Sequence, residues 1–317
     1  MNVLVLAGGL SHERDVSIRS GRRVQEALRA SGAKVTLQDV DSGLIPALQK
    51  LGDDGVVWPM LHGSSGEDGS LQGLLELLDV PYVGTRAHEA RVAWVKSVAK
   101  AVLEHESIPT PEYVTLPQSL FREVGAEQVM DAIVGKLGLP LAVKPARGGS
   151  ALGVSIVTNR ADLNRALVHC FAYDVTALIE KAVSGTEVAV SVLGTGDDAV
   201  ALPPVEIAVD GPYDYDARYN PGRVEYFAPA RLSDDDIATV SDAAVAVHRE
   251  LRLRDLSRVD IILDEDGAPQ VLDINITPGL TETSLYPQAI AASNENLAEV
   301  YARVAQGALN RHSTRDS

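Results

Sequence analysis

The sequence predicts an α/β protein with an open parallel sheet in its N-terminal part and an α+β arrangement in its C-terminal part. Apolar runs alternate with helical patterns over residues 1–90, which is typical of parallel sheets covered by helices. Two prolines in Ile108–Pro111 fix extended backbone and mark a boundary. Beyond it, alternating strands flank Asp266-Gly267, a turn that predicts an antiparallel hairpin. We therefore expect three domains, at 1–90, 91–177 and 178–317.

The first segment is expected to begin with a buried strand, Met1–Ala7, which ends in two glycines, followed by a helix at Ser20–Ser31. The remaining elements expected there are the strands Lys34–Gln38, Gly55–Leu61 and Pro81–Val83 and the helix Gly69–Leu78. The loops Leu10–Val16 and His62–Asp68 follow strands. Both should lie at the edge of the sheet where ligands of such sheets bind.

A helix over Glu89–His105 leads to the proline boundary, and a loop rich in tyrosine and aspartate, Gly211–Gly222, divides the C-terminal segment. The strands expected in the last two segments are Tyr113–Leu116, Pro140–Lys144, Val154–Val157, Leu178–Lys181, Glu187–Leu193 and Pro204–Ala208. The helices expected there are Ala126–Leu137, Asp234–Leu251 and Leu297–Gln306. Arg311–Ser317 should form a frayed tail.

Composition and charge argue against several classes of protein. The chain has 317 residues, of which 45% are hydrophobic, and a formal net charge of −16 that would repel a nucleic-acid backbone. Its apolar runs are shorter than the roughly 18 residues that a membrane span needs, and its first residues lack the basic start of a signal peptide. Its single cysteine, Cys170, excludes an internal disulfide. We therefore expect a cytoplasmic protein that binds neither membrane nor nucleic acid.

The Asp266-Gly267 turn determines the expected register of the hairpin. With a two-residue loop, Asp260 lies opposite Asp273 and Arg258 lies opposite Asn275, with all four side chains on one face of the sheet. The other face should be filled by Val259, Ile261, Leu263, Leu272 and Ile274.

Two facing aspartates repel each other unless a cation lies between them or one of them is protonated. Together with the amide oxygen of Asn275, Asp260 and Asp273 offer the oxygen ligands that Mg²⁺ prefers, with positions left for phosphate and water. The alternative is a solvated polar face on which Arg258 neutralises a carboxylate.

A glycine-rich turn joins two strands within Lys144–Val154, where backbone N–H groups can converge on an anion. Lys144 stands at the strand end, within reach of phosphate oxygens, and Lys96 lies on the helix before the proline boundary. The segment does not follow the P-loop pattern, and the N-terminal turn lacks the GxGxxG of dinucleotide-binding oxidoreductases. An ordinary glycine hairpin without a ligand is the alternative.

Six segments of the chain together resemble, in the family's order, the D-alanine–D-alanine ligase family of the ATP-grasp superfamily. The matching segments are Gly9–Gly21, His62–Gly73, Lys144–Val154, Tyr213–Tyr219, Ser257–Asp260 and Asp273–Leu285. The second of them, HGSSGEDGSLQG, is a long and specific match. The resemblance implies an ATP-grasp fold in which Mg-ATP lies between the central and C-terminal domains.

The resemblance also implies a reaction. One D-alanine carboxylate attacks the γ-phosphate of ATP to give an acyl phosphate and ADP, and the amine of a second D-alanine then displaces phosphate. The product is D-alanyl-D-alanine for peptidoglycan. The resemblance further implies two Mg²⁺ ions, with Mn²⁺ as an alternative ion, and a homodimer. Because an acyl phosphate hydrolyses readily, the loop Gly211–Gly222 is expected to close over the site as a lid.

The matched positions imply roles for single residues. Glu13 would anchor the ammonium of the first substrate, and Ser150 and Tyr219 would link the site to the lid. Arg258 and the backbone N–H of Gly279 would steady the tetrahedral oxyanion. The substrate-binding residues implied are Val16, His62, Ser284 and Leu285. The ATP-binding residues implied are Lys96, Lys144, Gly149, Ser150, Glu180, Lys181, Val183, Glu187 and Arg218, and the metal ligands implied are Asp260, Asp273 and Asn275.

Several residues around the expected ATP and metal sites differ from those usual in the family. They are Val95, Ala151, Arg218, Asp273 and Ile276. Asp273, for example, is one CH₂ shorter than the usual glutamate. Two alternatives follow: a ligase for a related amino acid in specialised metabolism, and a nucleotide-binding homologue with little ligase activity. Tyrosine at position 219 favours the formation of a dipeptide over a D-lactate depsipeptide.

Overall fold

The computed structural model describes residues 1–52, 54–149, 151–209 and 224–313. The helices of these ranges are α1 (Arg14–Ala30), α2 (Leu44–Gln49), α3 (Ser64–Glu67), α4 (Ser70–Leu77), α5 (Ala87–Trp94), α6 (Lys96–His105), α7 (Gln118–Val124), α8 (Ala126–Leu137), α9 (Leu163–Cys170), α10 (Asp234–Glu250), α11 (Leu285–Ala292) and α12 (Leu297–Ser313). The strands are β1 (Asn2–Leu6), β2 (Lys34–Gln38), β3 (Gly55–Pro59), β4 (Tyr113–Pro117), β5 (Leu141–Pro145), β6 (Ser155–Val157), β7 (Thr176–Lys181), β8 (Gly185–Thr195), β9 (Val200–Ala201), β10 (Val205–Val209), β11 (Val224–Phe227), β12 (Arg254–Asp264) and β13 (Pro269–Asn275).

The strands form three sheets. The first is parallel, in the order β2-β1-β3, as the alternation of strands and helices predicted. The second has the order β4-β7-β5-β6 and is antiparallel. The third has the order β11-β10-β8-β12-β13, with β9 beside β8, and is also antiparallel. Leu178–Lys181, expected in the C-terminal segment, belongs to β7 in the middle of the second sheet, while the division into domains stays a prediction.

The end of the chain packs back on the first sheet. Trp58 of β3 and Tyr301 of α12 are both buried, with ring centroids 5.2 Å apart. Near the end of α12, Arg311 forms an ion pair of 2.6 Å with the buried Asp255. The expected frayed tail is therefore wrong for 311–313, and 314–317 lie outside the described residues. No helix of the described ranges combines the length and the apolar character that a membrane span requires.

Most expected elements are found with shifted ends, and five helices of the described ranges were not expected. Helix α1 begins at Arg14, before the predicted start at Ser20, and the strand expected at Pro81–Val83 is a single bridge between Val57 and Tyr82. The unexpected helices are α2, α3, α7, α9 and α11. They are short, from four to eight residues, so their apolar patterns span about two turns at most.

The helix expected over Glu89–His105 is interrupted at Val95. This residue is extended, with φ −94° and ψ 99°, and separates α5 from α6. It bridges to Arg147, and the N–H of Lys96 donates to the carbonyl of Ala146 at 2.9 Å. A β-branched residue fits extended backbone well. The break makes Lys96 the first residue of α6 and ties it to the glycine-rich turn.

A buried histidine joins α10 to the third sheet. His248 is fully buried, and its Nδ1 lies 2.7 Å from the hydroxyl of Ser257 on β12. Burial lowers the pKa of His248 to about 4. Below pH 6.5 the unfolded chain therefore takes up a proton at this residue that the folded chain refuses until about pH 4. Folding stability is lost as the pH falls through this window.

Replacing His248 with glutamine is expected to remove this pH dependence. Between pH 6.5 and 4.5, the free energy of unfolding of the wild type should fall more steeply, by up to about 1.4 kcal/mol per pH unit, than that of the variant. Urea unfolding at a series of pH values measures both slopes. A matched control is His105→Gln, because the His105 side chain is 84% exposed. Equal slopes for His248→Gln and the wild type would contradict the prediction.

Candidate active site

The hairpin of β12 and β13 carries the acidic residues in the predicted register. Asp260 pairs with Asp273 across the two strands, and Arg258 pairs with Asn275. Asp260 is buried, at 3% exposure. The predicted juxtaposition of two carboxylates, an amide and a guanidinium is thus present in the fold.

The turn of this hairpin is longer than the predicted two residues. The N–H of Asp264 donates to the carbonyl of Ala268 at 3.0 Å, so the loop has three residues, 265–267. Gly267 adopts a φ of 80°, and the carboxylate of Asp264 accepts the N–H groups of Asp266 and Ala268. A type I turn followed by a left-handed glycine is the usual form of a three-residue hairpin loop.

A β-bulge restores the register that the longer turn would have shifted. Asp260 pairs with Asp273, but the next residue, Ile261, pairs with Val271, so Leu272 has no partner in the ladder. Val271 is buried in the position predicted for Leu272, which is only half-buried. The bulge and the longer turn cancel each other, because the turn takes one extra residue, Glu265, from the β12 side and the bulge adds one extra residue, Leu272, on the β13 side.

Each aspartate is neutralised by a cation of the chain. Arg258 donates from Nε and Nη2 to the two carboxylate oxygens of Asp260, at 2.7 and 2.9 Å. Lys96 Nζ lies 2.7 Å from Asp273 Oδ1. The repulsion of the aspartates is thus offset without a divalent ion, and the metal ligands stay a prediction. The alternative is confirmed in that Arg258 neutralises a carboxylate, but its solvated face is wrong, because Arg258 and Asp260 are buried.

The carboxylate of Asp273 is held in its ionised form. Burial would raise its pKa, but the ammonium groups of Lys96 and Lys144 outweigh burial and lower the pKa of Asp273 below its ordinary value. Asn275 Nδ2 lies 3.4 Å from Asp260 Oδ2, which leaves the amide oxygen of Asn275 outside that bond. Ionised carboxylates beside a neutral amide oxygen suit a hard cation. Within the described ranges, however, no cluster of three or more His, Cys, Asp or Glu side chains is arranged to hold a metal by itself.

A buried carboxylate between two lysines supports the predicted phosphate lysine. Glu180 of β7 is 2% exposed, and its carboxylate lies 2.5 Å from Lys144 Nζ and 2.9 Å from Lys100 Nζ. Lys144 also donates to the carbonyl of Leu272 at 3.0 Å. Lys144 is thereby held beside β13, next to Asp273. The side chain of Glu180, predicted to bind ATP, faces the two ammonium groups.

Lys100 is a residue of this network that the sequence analysis missed. Besides Glu180 it contacts the hydroxyl of Thr110, and its ammonium lies 5.1 Å from the ring centroid of Tyr113. Burial lowers the pKa of Lys100 to about 8, although Glu180 opposes this shift. The available signal was its position one helical turn after Lys96, on the same face of α6.

The glycine-rich turn lies between Lys96 and Glu13. The carbonyl of Gly148 accepts a hydrogen bond from Lys96 Nζ at 3.0 Å. A Cβ on Gly149 would stand 3.3 Å from a carboxylate oxygen of Glu13, so the backbone approaches this acid closely. Arg147 is held away from the site by a two-pronged ion pair with Asp174. Gly148 and Gly149 belong to the expected anion-binding turn. They therefore face the β12–β13 hairpin that carries Asp260 and Asp273.

The residues expected to bind the amino-acid substrates converge on one cavity of about 150 Å³. Its lining includes Glu13, Val16, His62, Arg258, Gly279, Ser284 and Leu285, all of them predicted. Gly149 and Asn275 line it as well, and a smaller cavity beside it is lined by Lys96, Gly149, Asp273 and Asn275. Segments that are far apart in the chain therefore meet at the end of β13, beside Arg258 of β12.

His62, which lines the substrate cavity, has one ring nitrogen without a hydrogen-bond partner among the described residues. Its Nδ1 lies 3.0 Å from the carbonyl oxygen of Thr277, and because a carbonyl only accepts, Nδ1 carries a proton. Nε2 is buried and has no hydrogen-bond partner among the described residues. Burial lowers the pKa of His62, although the nearby Glu13 carboxylate opposes it, so the ring is neutral at pH 7. A neutral imidazole with an unused acceptor can receive a hydrogen bond from a substrate.

Glu67 is a buried acid that the sequence analysis did not single out, although it belongs to the HGSSGEDG motif. Its Oε1 lies 4.0 Å from His62 Nδ1. Burial raises the pKa of Glu67 well above its ordinary value, and the carboxylates of Glu13 and Asp273 add to the effect. The site therefore tolerates another positive charge, such as a substrate ammonium, more readily than another anion near Glu67.

The remaining predicted residues lie elsewhere or outside the described ranges. Lys181 is exposed and pairs with Glu112 at 2.8 Å. Val183 lies in the connection between β7 and β8, and Glu187 lies on β8. Ser150, Arg218, Tyr219 and the loop Gly211–Gly222 lie outside the described residues. The proposed lid and its link to Glu13 therefore stay predictions.

Comparison with known proteins identifies relatives along the whole chain. Residues 45–85 match the family described as D-ala D-ala ligase N-terminus, and residues 102–304 match D-ala D-ala ligase C-terminus. The D-alanine–D-alanine ligase of Polaromonas naphthalenivorans is 39% identical over 316 residues, which cover 99% of this chain and 96% of that protein.

Solved structures agree in fold. The crystal structure of D-alanine–D-alanine ligase from Bacillus anthracis superposes with a TM-score of 0.84 at 28% identity, covering 99% of both chains. The same enzyme complexed with ATP superposes with a TM-score of 0.81 at 27% identity and the same coverage. The predicted α/β fold of the ATP-grasp type is confirmed by this likeness.

Proposed function

The chain belongs to the D-alanine–D-alanine ligase family, and from this premise we propose that it joins two D-alanines to D-alanyl-D-alanine at the expense of ATP, for peptidoglycan synthesis. The observation that carries the proposal is the convergence of Glu13, His62, Arg258 and Ser284 on one cavity. That cavity adjoins the pair Lys96–Asp273 and the glycine-rich turn. This arrangement supports a proposal in which the amino-acid substrates and the phosphates of ATP bind side by side.

The phosphates of ATP are proposed to lie between the glycine-rich turn and the two lysines. Lys96 of α6 and Lys144 of β5 both reach β13, through Asp273 and the carbonyl of Leu272. Their charges stabilise a triphosphate and the negative charge that develops during phosphoryl transfer. Lys181, Val183 and Glu187, close to Glu180 in sequence, are proposed to hold the adenine and the ribose.

The first D-alanine is proposed to lie between Glu13 and His62. The carboxylate of Glu13, beside Gly149, can pair with the ammonium of this D-alanine. The unpartnered Nε2 of His62 can accept a hydrogen bond from the same ammonium. The substrate carboxylate then points to the phosphate lysines, where it attacks the γ-phosphorus. The products of this step are an acyl phosphate and ADP.

Arg258 is proposed to stabilise the second step. When the amine of the second D-alanine attacks the acyl phosphate, the carbonyl oxygen becomes an oxyanion, and Arg258 with the N–H of Gly279 line the cavity where it forms. Asp260 holds the guanidinium plane through two hydrogen bonds. Ser284, whose Oγ accepts the N–H of Thr281 at 3.0 Å, and the N–H of Leu285 at the start of α11 are proposed to hold the second carboxylate.

Asp260, Asp273 and Asn275 are the residues that would hold Mg²⁺, and the metal would supply charge neutralisation of the triphosphate. Their donor set of two carboxylates and an amide oxygen fits a hard cation. The number of ions, two by the family resemblance, and the use of Mn²⁺ belong to the proposal. We also propose a cytoplasmic homodimer, for which sedimentation at several protein concentrations is the test. A monomer at all concentrations would contradict it.

The activity is tested by the release of ADP and phosphate from ATP with Mg²⁺ and D-alanine, together with mass spectrometry of the product. We expect D-alanine to stimulate ADP release at least tenfold over L-alanine, and removal of Mg²⁺ by EDTA to abolish it. D-serine and D-lactate are tested in parallel as the second substrate. Equal stimulation by L-alanine, or ADP release without a dipeptide, would contradict the proposal and favour the two alternatives.

A further inference from the structure

A second cleft, lined by arginines, lies away from the candidate active site. Its volume is about 460 Å³, against about 150 Å³ for the substrate cavity. Its walls come from the segment 76–86, the connection from α10 to β12, and the end of α12. None of its lining residues lines the substrate cavity. We name it the arginine cleft.

The arginine cleft is basic in a strongly acidic chain. Two carboxylates, Glu76 and Asp79, face five arginines: Arg86, Arg249, Arg252, Arg254 and Arg311. Two of these arginines are paired with carboxylates outside the lining, Arg86 with Glu89 at 2.5 Å and Arg311 with Asp255 at 2.6 Å, which leaves three without an ion pair among the described residues. The whole chain, by contrast, has 44 acidic and 28 basic residues. Guanidinium groups gathered around one cleft repel each other, and a bound anion relieves that repulsion.

The two carboxylates of the cleft already have partners or lie in solvent. Glu76 Oε1 accepts the hydroxyl of Tyr82 at 2.6 Å and the N–H of Ala87 at 3.0 Å. The side chain of Asp79 is 81% exposed, with His312 at 3.8 Å. Asp79 therefore does not act as an internal counter-ion, while Glu76 offsets part of the charge of Arg254 and Arg86.

Two of the arginines are held in place without an ion pair among the described residues. Arg249 donates to the carbonyls of Gly196 and Asp197, and Arg254 donates to the carbonyl of Gly84 at 2.9 Å. Arg254 also packs on Tyr82, 5.1 Å from the ring centroid, which orients the guanidinium plane. A third, Arg252, is exposed and has no side-chain hydrogen bond or ion pair in the described parts of the chain.

We propose that the arginine cleft binds a phosphate group, either as free phosphate or as part of a small phosphorylated organic molecule. Oriented guanidinium forks match the oxygens of phosphate, and charge-assisted bonds of this kind are the strong ones. The volume falls within the range of small-molecule sites, and Val80, Leu253 and Ala308 add apolar wall for an organic part. This site is separate from the proposed ATP site.

The test is isothermal titration of the full chain with inorganic phosphate and with ribose 5-phosphate. Arg252→Asn removes one guanidinium, and asparagine tolerates the positive φ of 51° at this position. We expect it to weaken binding about tenfold or more, while Arg252→Lys, which keeps the charge but not the fork, loses less. Arg122→Gln is the matched control, because Arg122 is an exposed arginine of α7.

Further measurements distinguish free phosphate from an organic phosphate and test whether the anion binds in the arginine cleft. Tighter binding of ribose 5-phosphate than of phosphate assigns the cleft to an organic phosphate, and equal affinity assigns it to free phosphate. Unchanged affinity in Arg252→Asn, or loss of binding in Lys144→Gln instead, would overturn the proposal, because the anion would then occupy another site. D-Alanine-dependent ADP release by Arg252→Asn is measured separately and should equal that of the wild type, which keeps a failure here distinct from a failure of the ligase proposal.

Discussion

Replacing Arg258 with glutamine is expected to lower kcat by roughly 10²–10³-fold and the free energy of unfolding by about 3–5 kcal/mol. The first effect follows from the loss of the charge that stabilises the oxyanion. The second follows because Asp260, which is buried and bonded twice to Arg258, keeps its charge but loses the guanidinium that balances it. Steady-state ADP release and urea unfolding measure the two effects.

The double variant Arg258→Gln/Asp260→Asn separates these effects. Removal of both charges leaves no unpaired ion, so the free energy of unfolding should recover most of the loss, whereas kcat should stay low. Arg19→Gln is a matched control for stability, because Arg19 is an exposed arginine that lines the same cavity. A kcat for Arg258→Gln within twofold of the wild type would exclude Arg258 from the oxyanion role.

The second large effect is expected at Glu180. Glu180→Gln leaves the ammonium groups of Lys100 and Lys144 buried without the carboxylate that lies 2.9 and 2.5 Å from them. We expect the free energy of unfolding to fall by about 3–5 kcal/mol. The KM for ATP should rise about tenfold, because Lys144 keeps only its bond to the carbonyl of Leu272 as an anchor.

Adding Lys100→Met to Glu180→Gln tests whether charge balance causes the instability. The double variant removes one positive and one negative charge, so its free energy of unfolding should lie well above that of Glu180→Gln. Lys181→Met provides a comparison at the next residue, where the lysine is exposed and its ion pair contributes about 1 kcal/mol or less. Glu180→Gln with wild-type stability and KM would show that Glu180 neither balances nor positions Lys144.

Local sequence patterns were sufficient wherever one element or one turn decided the outcome. The alternation of apolar and polar residues in β12 and β13 places Asp260 and Asp273 on one face, and their pairing is as predicted. Even there, the local detail differs, since a three-residue loop and a bulge replace the predicted two-residue turn. Side-chain alternation gives the face of a residue, while the turn type depends on hydrogen bonds such as those of Asp264.

Contacts between distant segments could not be read from such patterns. The sequence of α6 does not distinguish Lys100 from other helix lysines, and its role follows from Glu180 of β7 beside it. The helix is interrupted at Val95, where Arg147 from a distant segment bridges to it. The arginine cleft likewise gathers residues from near the beginning and the end of the chain.

The sequence by itself determined the family, the class of fold and most of the residues that line the substrate cavity, because these are carried by motifs and by the periods of strands and helices. Only the tertiary structure decided which charge neutralises which, where the second cleft lies and how the last helix packs. Those outcomes depend on the distances between side chains that are remote in the chain, and the strength of an electrostatic contact changes with distance and burial.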